Sequence, residues 1–325
     1  MVDGGFGRPR VVLSRCLEIE ACRYNAQTIR SGVVRLLEPY VEYVAVCPEV
    51  EIGLGVPRDP IRLVSVASGD GPLRLVQPST DRDLTDRMTG FGHEFADSAR
   101  AVDGMVLKSR SPSCGIKDVK VYAGAEDSPV TGKGAGLFAG IMMERYPNVA
   151  IEDEGRLTNA ELRHHFLTRI FASEALRSAL AEGPAGLVAF HTRYKLILMA
   201  HSPSGQRQLG RVVAGAGTDF EATAAAYRDG FAEVMAEPAG RGANVNVIQH
   251  AQGYFKRELA GREKRQFEEL QAQYREGRLP LQALLAVLAS WVARFDEPYL
   301  REQAYFRPYP QPLVVAADSG RTRLA

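Results

Sequence analysis

The chain has 325 residues, of which 45% are hydrophobic and 24% are charged, and its formal net charge is +1. This composition excludes disordered and fibrous proteins, and the length predicts two domains. Only 4 residues are cysteines, which excludes a disulfide scaffold and favours thiolate chemistry or metal binding. Residues 183–325 carry 18 basic and 14 acidic side chains, against 22 and 25 in the rest, so the second half is the better candidate to meet a polyanion.

The sequence shows no targeting or membrane-spanning segment. The start of the chain has no apolar stretch long enough for a signal peptide, and no window approaches the ~18 apolar residues that a membrane span requires. We therefore expect a cytoplasmic protein with reduced thiols and no contact with a membrane.

Residues 8–160 alternate between short apolar runs and helical patterns. We predict strands at 11–14, 43–46 and 104–107 and in NVAIED, helices at 26–37 and 81–101, and a hairpin from IRLVSVA and LRLVQP around a GDGP turn. Strands separated by helical crossovers indicate an α/β domain with a mostly parallel sheet, whose site lies beyond the carboxyl ends of the strands.

The second half has no alternating strands. From residue 158 apolar residues recur at helical spacing, which predicts an all-α bundle of five to seven helices. We place the boundary near 155–185, the helical domain at 180–312, and an extended, partly disordered Pro-rich tail at 313–325.

Three of the cysteines follow predicted strands. Cys16, Cys47 and Cys114 stand in the polar loops SRCLE, VCPEVEIGLG and SRSPSCG, whereas a structural cysteine prefers an apolar interior. Their spacing matches no zinc finger, ferredoxin or CxxC pattern, and buried inert thiols are the competing interpretation. Three thiolates at one sheet edge would bind a soft metal or an iron–sulfur cluster, and with three ligands one iron of a [4Fe-4S] cluster stays open. Cys22 is the possible fourth ligand, but we favour packing against the following helix.

Candidate acid–base and binding groups surround these thiols. In an extended CPEVE segment Glu49 and Glu51 face opposite ways, and we choose Glu49 as the general acid/base. A positive, hydroxyl-rich loop follows the third strand, and it either binds carbonyl or phosphate oxygens or is an ordinary turn; its polar residues are Lys108, Ser109, Arg110, Ser111 and Ser113. The segment TGKGAGLF is not a Walker A motif; its amides could bind an anion, but we favour tight packing as the reason for its glycines.

The second half carries aromatic residues among cations. His191 and Lys195, and His250 and Tyr254, are i, i+4 pairs, each on one helix face. Such mixtures contact RNA phosphates and splayed bases, although the charged outer face of a bundle has a similar composition. The candidate RNA-binding residues here are His191, Arg193, Lys195, His250, Tyr254 and Lys256.

Long segments then add a family resemblance. The first half of the chain resembles the domain-of-unknown-function 523 family, whose characterised members are TudS-type thiouracil desulfidases. The resemblance lies in the segments SRCLEIEACRYN, VCPEVEIGLGVPR, LKSRSPSCGIKDVKVY, GAGLFA and EDEGRLTN. The second half resembles the domain-of-unknown-function 1722 family in the segments FHTRYKLILMAHS, NVIQHAQGYFK, YREGRLPL and YLREQAYFRPYP. Together these cover about residues 8–312, and the fused arrangement resembles RudS-type tRNA 4-thiouridine desulfidases.

The resemblance implies a [4Fe-4S] cluster held by three cysteines, which match Cys16, Cys47 and Cys114, with catalytic help from Glu49 and from Ser109 or Ser111. The usual small-residue turn after the first cysteine reads LEIEA here. We expect the thiocarbonyl sulfur to bind the open iron and Glu49 to activate water or relay a proton, while Lys108 and Arg110 hold the base and sulfur leaves as hydrosulfide.

The expected substrate is 4-thiouridine in tRNA, which the helical domain would deliver. Two alternatives remain: a desulfidase of free thiolated pyrimidine bases, and a non-enzymatic RNA-binding module with a structural cluster.

Overall fold

The structure is a computed structural model that describes residues 5–65, 72–99, 101–215 and 219–314. The chain divides into two compact units: unit 1 comprises Met1–Glu174 and Pro310–Ala325, and unit 2 comprises Ala175–Tyr309. In the described part of the chain, no helix is both long and apolar enough to cross a bilayer.

Unit 1 is an α/β unit with two sheets. Its strands are β1 Arg10–Ser14, β2 Glu42–Val46, β3 Arg62–Ser65, β4 Leu73–Gln77, β5 Arg82–Asp83, β6 Gly104–Leu107, β7 Val119–Tyr122, β8 Val130–Gly134 and β9 Ala150–Asp153. Its helices before the division are α1 Gly32–Leu37, α2 Pro48–Glu51, α3 Thr85–Ser98 and α4 Leu137–Arg145.

The first sheet has the order β2-β1-β6-β9, and all its neighbours are parallel. Strand β6 is buried along its whole length, and β1 is buried at four of five positions. Continuous apolar runs of this kind are typical of parallel strands covered on both faces. The expected parallel sheet is therefore confirmed.

The second sheet has the order β5-β4-β3-β7-β8 and was not expected as a separate layer. Strands β3 and β4 form the expected antiparallel hairpin, although most of its GDGP turn lies outside the described residues. Strands β7 and β8 are an additional antiparallel pair, and β8 contains the first glycines of TGKGAGLF, so the helix there begins only at Leu137.

The expected helix at 26–37 is wrong in its first half. Ala26 has a positive φ of 53°, and Ile29 donates a backbone hydrogen bond to the carbonyl of Cys16 at 2.8 Å. These contacts with the first cysteine loop outcompete local helix propensity, and α1 starts only after the N-cap Ser31. The expected helix at 81–101 is the shorter α3.

A run of helices follows β9: α5 Ala160–Ala181, α6 Pro184–His201, α7 Pro203–Ala214, α8 Phe220–Val234, α9 Arg241–Gly253, α10 Gly261–Arg275, α11 Leu281–Phe295 and α12 Pro298–Arg301. The described ranges thus contain eight helices after β9, whereas we expected five to seven. The count includes the long α5 and the single turn α12 as helices of their own. The helical second half is confirmed. Of the proline-rich tail, residues 315–325 lie outside the described residues, and Leu313 before them is 1% exposed.

Candidate functional site

The three expected cysteines follow three adjacent parallel strands. Cys16 lies two residues beyond β1, Cys47 directly follows β2, and Cys114 stands in the loop after β6. Since β1 pairs with both β2 and β6 in parallel, the carboxyl ends of the three strands share one edge of the sheet. The topology therefore brings the three loops together, as the order of elements along the chain predicts.

One cleft of about 380 Å³ opens at this edge, and we call it the thiol cleft. Its lining residues are Ser14, Arg15, Cys16, Cys22, Arg23, Tyr24, Val46, Cys47, Pro48, Glu49, Arg58, Pro60, Ile61, Lys108, Ser109, Arg110, Ser111, Pro112 and Cys114. The cleft thus holds the expected cysteines, Glu49 and the polar loop residues 108–111, together with the fourth cysteine, whereas Ser113 of the same loop is buried and does not line it.

All four cysteines are free thiols, and Cys22 lies among the other three rather than against the helix that follows it. A hydrogen bond with Cys16, together with burial, raises the pKa of Cys22 to about 11. The hydrogen bond with Cys22 and burial raise the pKa of Cys47, and burial raises that of Cys114. These three thiols are therefore neutral at physiological pH in the cluster-free protein.

The donor chemistry of the cleft fits a soft metal cluster. Iron–sulfur clusters are held by cysteine thiolates, and the cleft offers four cysteines that are not in a disulfide and can lose their protons to a metal. In the described ranges, no group of three or more His, Cys, Asp or Glu side chains is placed so that it could hold a metal ion.

Glu49 lies in a buried ion pair with Arg58. Its Oε2 accepts from Arg58 Nε at 2.9 Å and Nη2 at 2.7 Å, and the two side chains are 14% and 4% exposed. Arg58 Nη1 also donates to the carbonyl of Cys22 at 2.9 Å. The guanidinium therefore fixes the carboxylate and ties it to the loop that carries the fourth thiol.

We expected the CPEVE segment to be extended, but the structure shows that it is helical. Its two carboxylates still point in different directions. Pro48 occupies the first helical position of α2, and Glu51 pairs with Arg15 outside the buried pair. The structure thus places Glu49 toward the thiols and Glu51 in a partly exposed ion pair.

The serines of the loop after β6 have different partners. Glu49 Oε1 accepts from Ser113 Oγ at 2.8 Å and from Ser111 Oγ at 3.4 Å. Ser111 Oγ also accepts from the backbone N–H of Cys114 at 3.2 Å, so this hydroxyl connects the carboxylate to the third cysteine. Ser109 Oγ donates instead to Glu154 Oε1 at 2.7 Å. Of the two candidate serines, Ser111 is the one that contacts Glu49.

The two cations of this loop also differ. Lys108 Nζ pairs with Glu154 Oε1 at 2.5 Å and donates to Ser109 Oγ at 2.7 Å. Burial opposes ionisation of Glu154, but the hydrogen bonds from Lys108 and Ser109 hold its pKa below the usual value. Arg110 is exposed, with a positive φ of 59°, and forms no ion pair with the residues that the structure describes. Of the two cations in this loop, Arg110 is therefore the one that is left for a ligand.

The glycines before α4 serve close packing. A Cβ on Gly136 would lie 2.5 Å from the backbone oxygen of Ser113. The N–H groups of Gly136, Leu137 and Ala139 donate to carbonyls of the 112–115 segment at 2.7–3.1 Å. The helix start is therefore docked on the Cys114 loop, and these amides are not available to an anion.

The acidic residues of LEIEA point elsewhere. Glu18 has a positive φ of 65°, pairs with Arg35 and accepts from the Ser31 N–H, while Glu20 pairs with Arg15 at 3.7 Å. Neither lines the thiol cleft. The departure from the usual turn after the first cysteine therefore adds no carboxylate to the cleft wall.

In unit 2 the candidate RNA-binding residues do not share one environment. His191 is half-buried, with Nδ1 3.0 Å from the Tyr227 hydroxyl, and burial and Lys195 lower its pKa. His250 and Tyr254 meet with ring centroids 5.9 Å apart, and Tyr254 stacks on Tyr299 at 5.5 Å. The exposed members of the set are Arg193, Lys195, His250, Tyr254 and Lys256. His191 is half-buried against Tyr227 and so differs from the exposed members of the set.

Sequence reasoning missed Arg58 and Tyr24. Arg58 stands nine residues after Glu49, in a segment where the cysteine and the carboxylates gave the stronger signals. Only the folded loop brings its guanidinium into contact with Glu49. Tyr24 lies two residues after Cys22, and no motif in the sequence marks it as a cleft residue.

Comparisons with known proteins agree with this architecture. A family model described as 2-thiouracil desulfurase matches residues 11–154, and one described as protein of unknown function (DUF1722) matches residues 195–310. The uncharacterized protein YbgA of Escherichia coli K12 is 32% identical over 149 residues, which is 45% of this chain and 88% of YbgA. The uncharacterized protein YbbK of Bacillus subtilis 168 is 29% identical over 150 residues, 44% of this chain and 96% of YbbK.

Among solved structures, the [4Fe-4S]-dependent thiouracil desulfidase TudS is 25% identical, with a TM-score of 0.35, and the match covers 46% of this chain and 93% of TudS. The match to the first family model spans all three loops that carry Cys16, Cys47 and Cys114. The chain is therefore a fusion of a 2-thiouracil desulfurase domain with a DUF1722 domain, and it belongs to the family that includes YbgA.

Proposed function

We propose that this chain is an iron–sulfur-dependent desulfidase that converts 4-thiouridine in tRNA to uridine and releases hydrosulfide in the cytoplasm. The observation that carries the proposal is the thiol cleft, in which free cysteines from three parallel strands face a carboxylate, a serine hydroxyl and an arginine. This cleft lies within the part of the chain that matches the 2-thiouracil desulfurase model.

Cys16, Cys47 and Cys114 would hold a [4Fe-4S] cluster, since the loops that carry them follow three adjacent parallel strands at one edge of the sheet. When bound, such a cluster with three protein ligands supplies a thiophilic Lewis acid that polarises a carbon–sulfur bond. Cys22 shares the cleft, so its exclusion from the ligand set is part of the proposal.

The reaction needs water at the ring carbon and a path for its proton. Glu49 Oε1 accepts the water proton, while Arg58 holds Oε2 in place, so one oxygen acts as the base and the other as the anchor. Overall, thiocarbonyl plus water gives carbonyl plus hydrosulfide and one proton, with no net redox change. Ser113 Oγ and Ser111 Oγ both donate to Oε1 and keep it oriented, and of the two Ser111 lines the thiol cleft.

A nucleotide substrate is supported by charge. Arg110 at the cleft is exposed and without an ion pair among the described residues, which suits a phosphate or a base oxygen. The exposed set of Arg193, Lys195, His250, Tyr254 and Lys256 in unit 2 combines cations with a stacked aromatic pair, as contacts to RNA require.

The test uses the full chain, purified and reconstituted with iron and sulfide without oxygen. We expect incubation with thiolated tRNA to remove 4-thiouridine and yield equal amounts of uridine and sulfide, measured by nucleoside mass spectrometry. Conversion of free 4-thiouracil but not of tRNA would support the free-base alternative. A cluster spectrum without any conversion would support a non-enzymatic module.

Serine variants of the four cysteines test the ligand set. Each change at Cys16, Cys47 or Cys114 should abolish the iron–sulfur absorbance, whereas Cys22→Ser should retain it. Loss of the cluster in Cys22→Ser together with its retention in Cys114→Ser would show that the ligand assignment is wrong.

A further inference from the structure

The thiol cleft has one aromatic lining residue among those that the structure describes, namely Tyr24. This side chain is 43% exposed, although large aromatic side chains in unit 1 such as Phe138 are fully buried. Exposing this much ring surface beside a cleft has a cost in hydrophobic free energy, which a ligand that covers the ring would recover.

Both the ring and the backbone of Tyr24 have a partner. The guanidinium carbon of Arg23 lies 5.2 Å from the ring centroid, in cation–π geometry. The Tyr24 carbonyl accepts from the backbone N–H of Arg58 at 2.8 Å. Because the Arg58 side chain also clamps Glu49, the backbone of Tyr24 and the proposed base are both bonded to the same residue.

We infer that Tyr24 is the surface on which the pyrimidine ring of the substrate stacks, with Arg23 bracing the tyrosine ring. This inference rests on the proposed function only in taking the ligand to be a thiolated pyrimidine. Stacking fixes the plane of the base while leaving its edge, where the thiocarbonyl lies, directed along the cleft. The other apolar lining residues are aliphatic or prolines, so among the described residues Tyr24 offers the aromatic face that can orient a planar base.

The consequence for kinetics follows from the kind of contact. A stacked base is held equally in the ground state and in the transition state, so loss of the ring raises KM and leaves kcat nearly unchanged. Removal of one base–aromatic stack weakens binding about 5- to 150-fold.

Unit 1 supplies a matched control. Arg62 lies over the ring of Tyr122 with its guanidinium carbon 4.7 Å from the centroid, and Tyr122 does not line the thiol cleft. Tyr24→Leu should raise KM for 4-thiouridine substrates within the range above, Tyr24→Phe should stay within about 3-fold of the parent because it keeps the ring, and Tyr122→Leu should leave KM unchanged. Equal KM values for Tyr24→Leu and the parent would overturn the inference.

A second measurement does not depend on turnover. The thiocarbonyl of 4-thiouridine is photoreactive under near-ultraviolet light and cross-links to adjacent side chains. We expect irradiation of the cluster-free full chain with 4-thiouridine monophosphate to give an adduct on the peptide that contains Tyr24, and Tyr24→Leu to lose it.

The two measurements separate this inference from the proposed function. An adduct on Tyr24 in a protein that never desulfurates tRNA would support the stacking surface while removing the proposed reaction. An active enzyme whose adduct lies elsewhere, or that gives no adduct at all, would overturn the stacking surface and leave the reaction standing.

Discussion

The Arg58–Glu49 pair is the interaction on which the thiol cleft depends most, and Arg58→Met tests it. The parent side chain makes two hydrogen bonds to Glu49 Oε2, at 2.9 and 2.7 Å, and one each to the carbonyls of Cys22 and Gly55, at 2.9 Å. With only 4% of its side chain exposed, Arg58 has little access to water, and methionine fills a similar volume without a charge.

The magnitude follows from what is left behind. Removing one partner of a buried ion pair costs about 3–5 kcal/mol in free energy of unfolding, because the other charge stays buried without compensation. Glu49 keeps hydrogen bonds from Ser113 and Ser111 and is 14% exposed, so we expect about 3 kcal/mol. The double variant Arg58→Met/Glu49→Gln should recover about 1–2 kcal/mol of this loss, since no uncompensated charge remains.

The assay is urea-dependent amide hydrogen exchange of cluster-free protein, read on peptides that cover residues 42–65. The matched control is Arg74→Met, because Arg74 also donates twice to one carboxylate, Asp83, but the two side chains are 50% and 41% exposed. An exposed pair should contribute about 0–1 kcal/mol. If Arg58→Met costs no more than Arg74→Met, or if the double variant is as unstable as Arg58→Met, the argument from burial is refuted.

Three further predictions concern packing and pH. Gly136→Ala, at the N-cap of α4, should destabilise unit 1 by about 1–3 kcal/mol in thermal unfolding, since its Cβ would lie 2.5 Å from a backbone oxygen. Gly140→Ala, inside α4, is the control: it has open space and should stabilise unit 1 by up to about 1 kcal/mol. Glu154→Gln should lower the free energy of unfolding by about 1.5–3 kcal/mol at pH 7, because the hydrogen bonds that Glu154 accepts from Lys108 and Ser109 are charge-assisted. Urea unfolding at several pH values should show this loss shrinking below about pH 4. Unit 2 should lose stability as the pH falls below about 6.5, because burial lowers the pKa of His191, and His191→Gln should remove that dependence in acid unfolding curves.

The signs of the two pH effects follow from linkage. A carboxyl whose pKa is lowered on folding contributes stability above its unfolded pKa and loses it as the pH falls through the folded pKa. A histidine whose pKa is lowered favours the neutral form in the folded state, so acid removes stability from about its unfolded pKa downward. A pH-independent cost for Glu154→Gln, or a loss of unit 2 stability between about pH 6.5 and 5 that persists in His191→Gln, would contradict these assignments.

Local pattern and chain order were enough to predict much of unit 1. The uninterrupted apolar runs of β1 and β6 belong to strands buried on both faces, and parallel order places the loops of Cys16, Cys47 and Cys114 at one edge. Local pattern failed where distant contacts override propensity, as in residues 26–31, whose backbone bonds to the first cysteine loop instead of forming a helix.

The choice among neighbouring polar residues was made only by the tertiary structure. Ser109 and Ser111 are equivalent in sequence, yet one bonds to Glu154 after β9 and the other to Glu49 after β2. The bonded side chains lie 45 and 62 positions apart in the chain, and no local rule connects positions at such separations.

The sequence by itself determined the two-part organisation, the parallel strands and the chemical character of the site, because these depend on periodicity, on strand order and on which side chains the loops contain. The tertiary structure decided that Arg58 clamps Glu49, that Cys22 joins the other thiols, and that Tyr24 lies at the cleft. These arrangements depend on the path of long loops in space, which is fixed by hydrogen bonds between distant backbone and side-chain groups and has no periodic trace in the sequence.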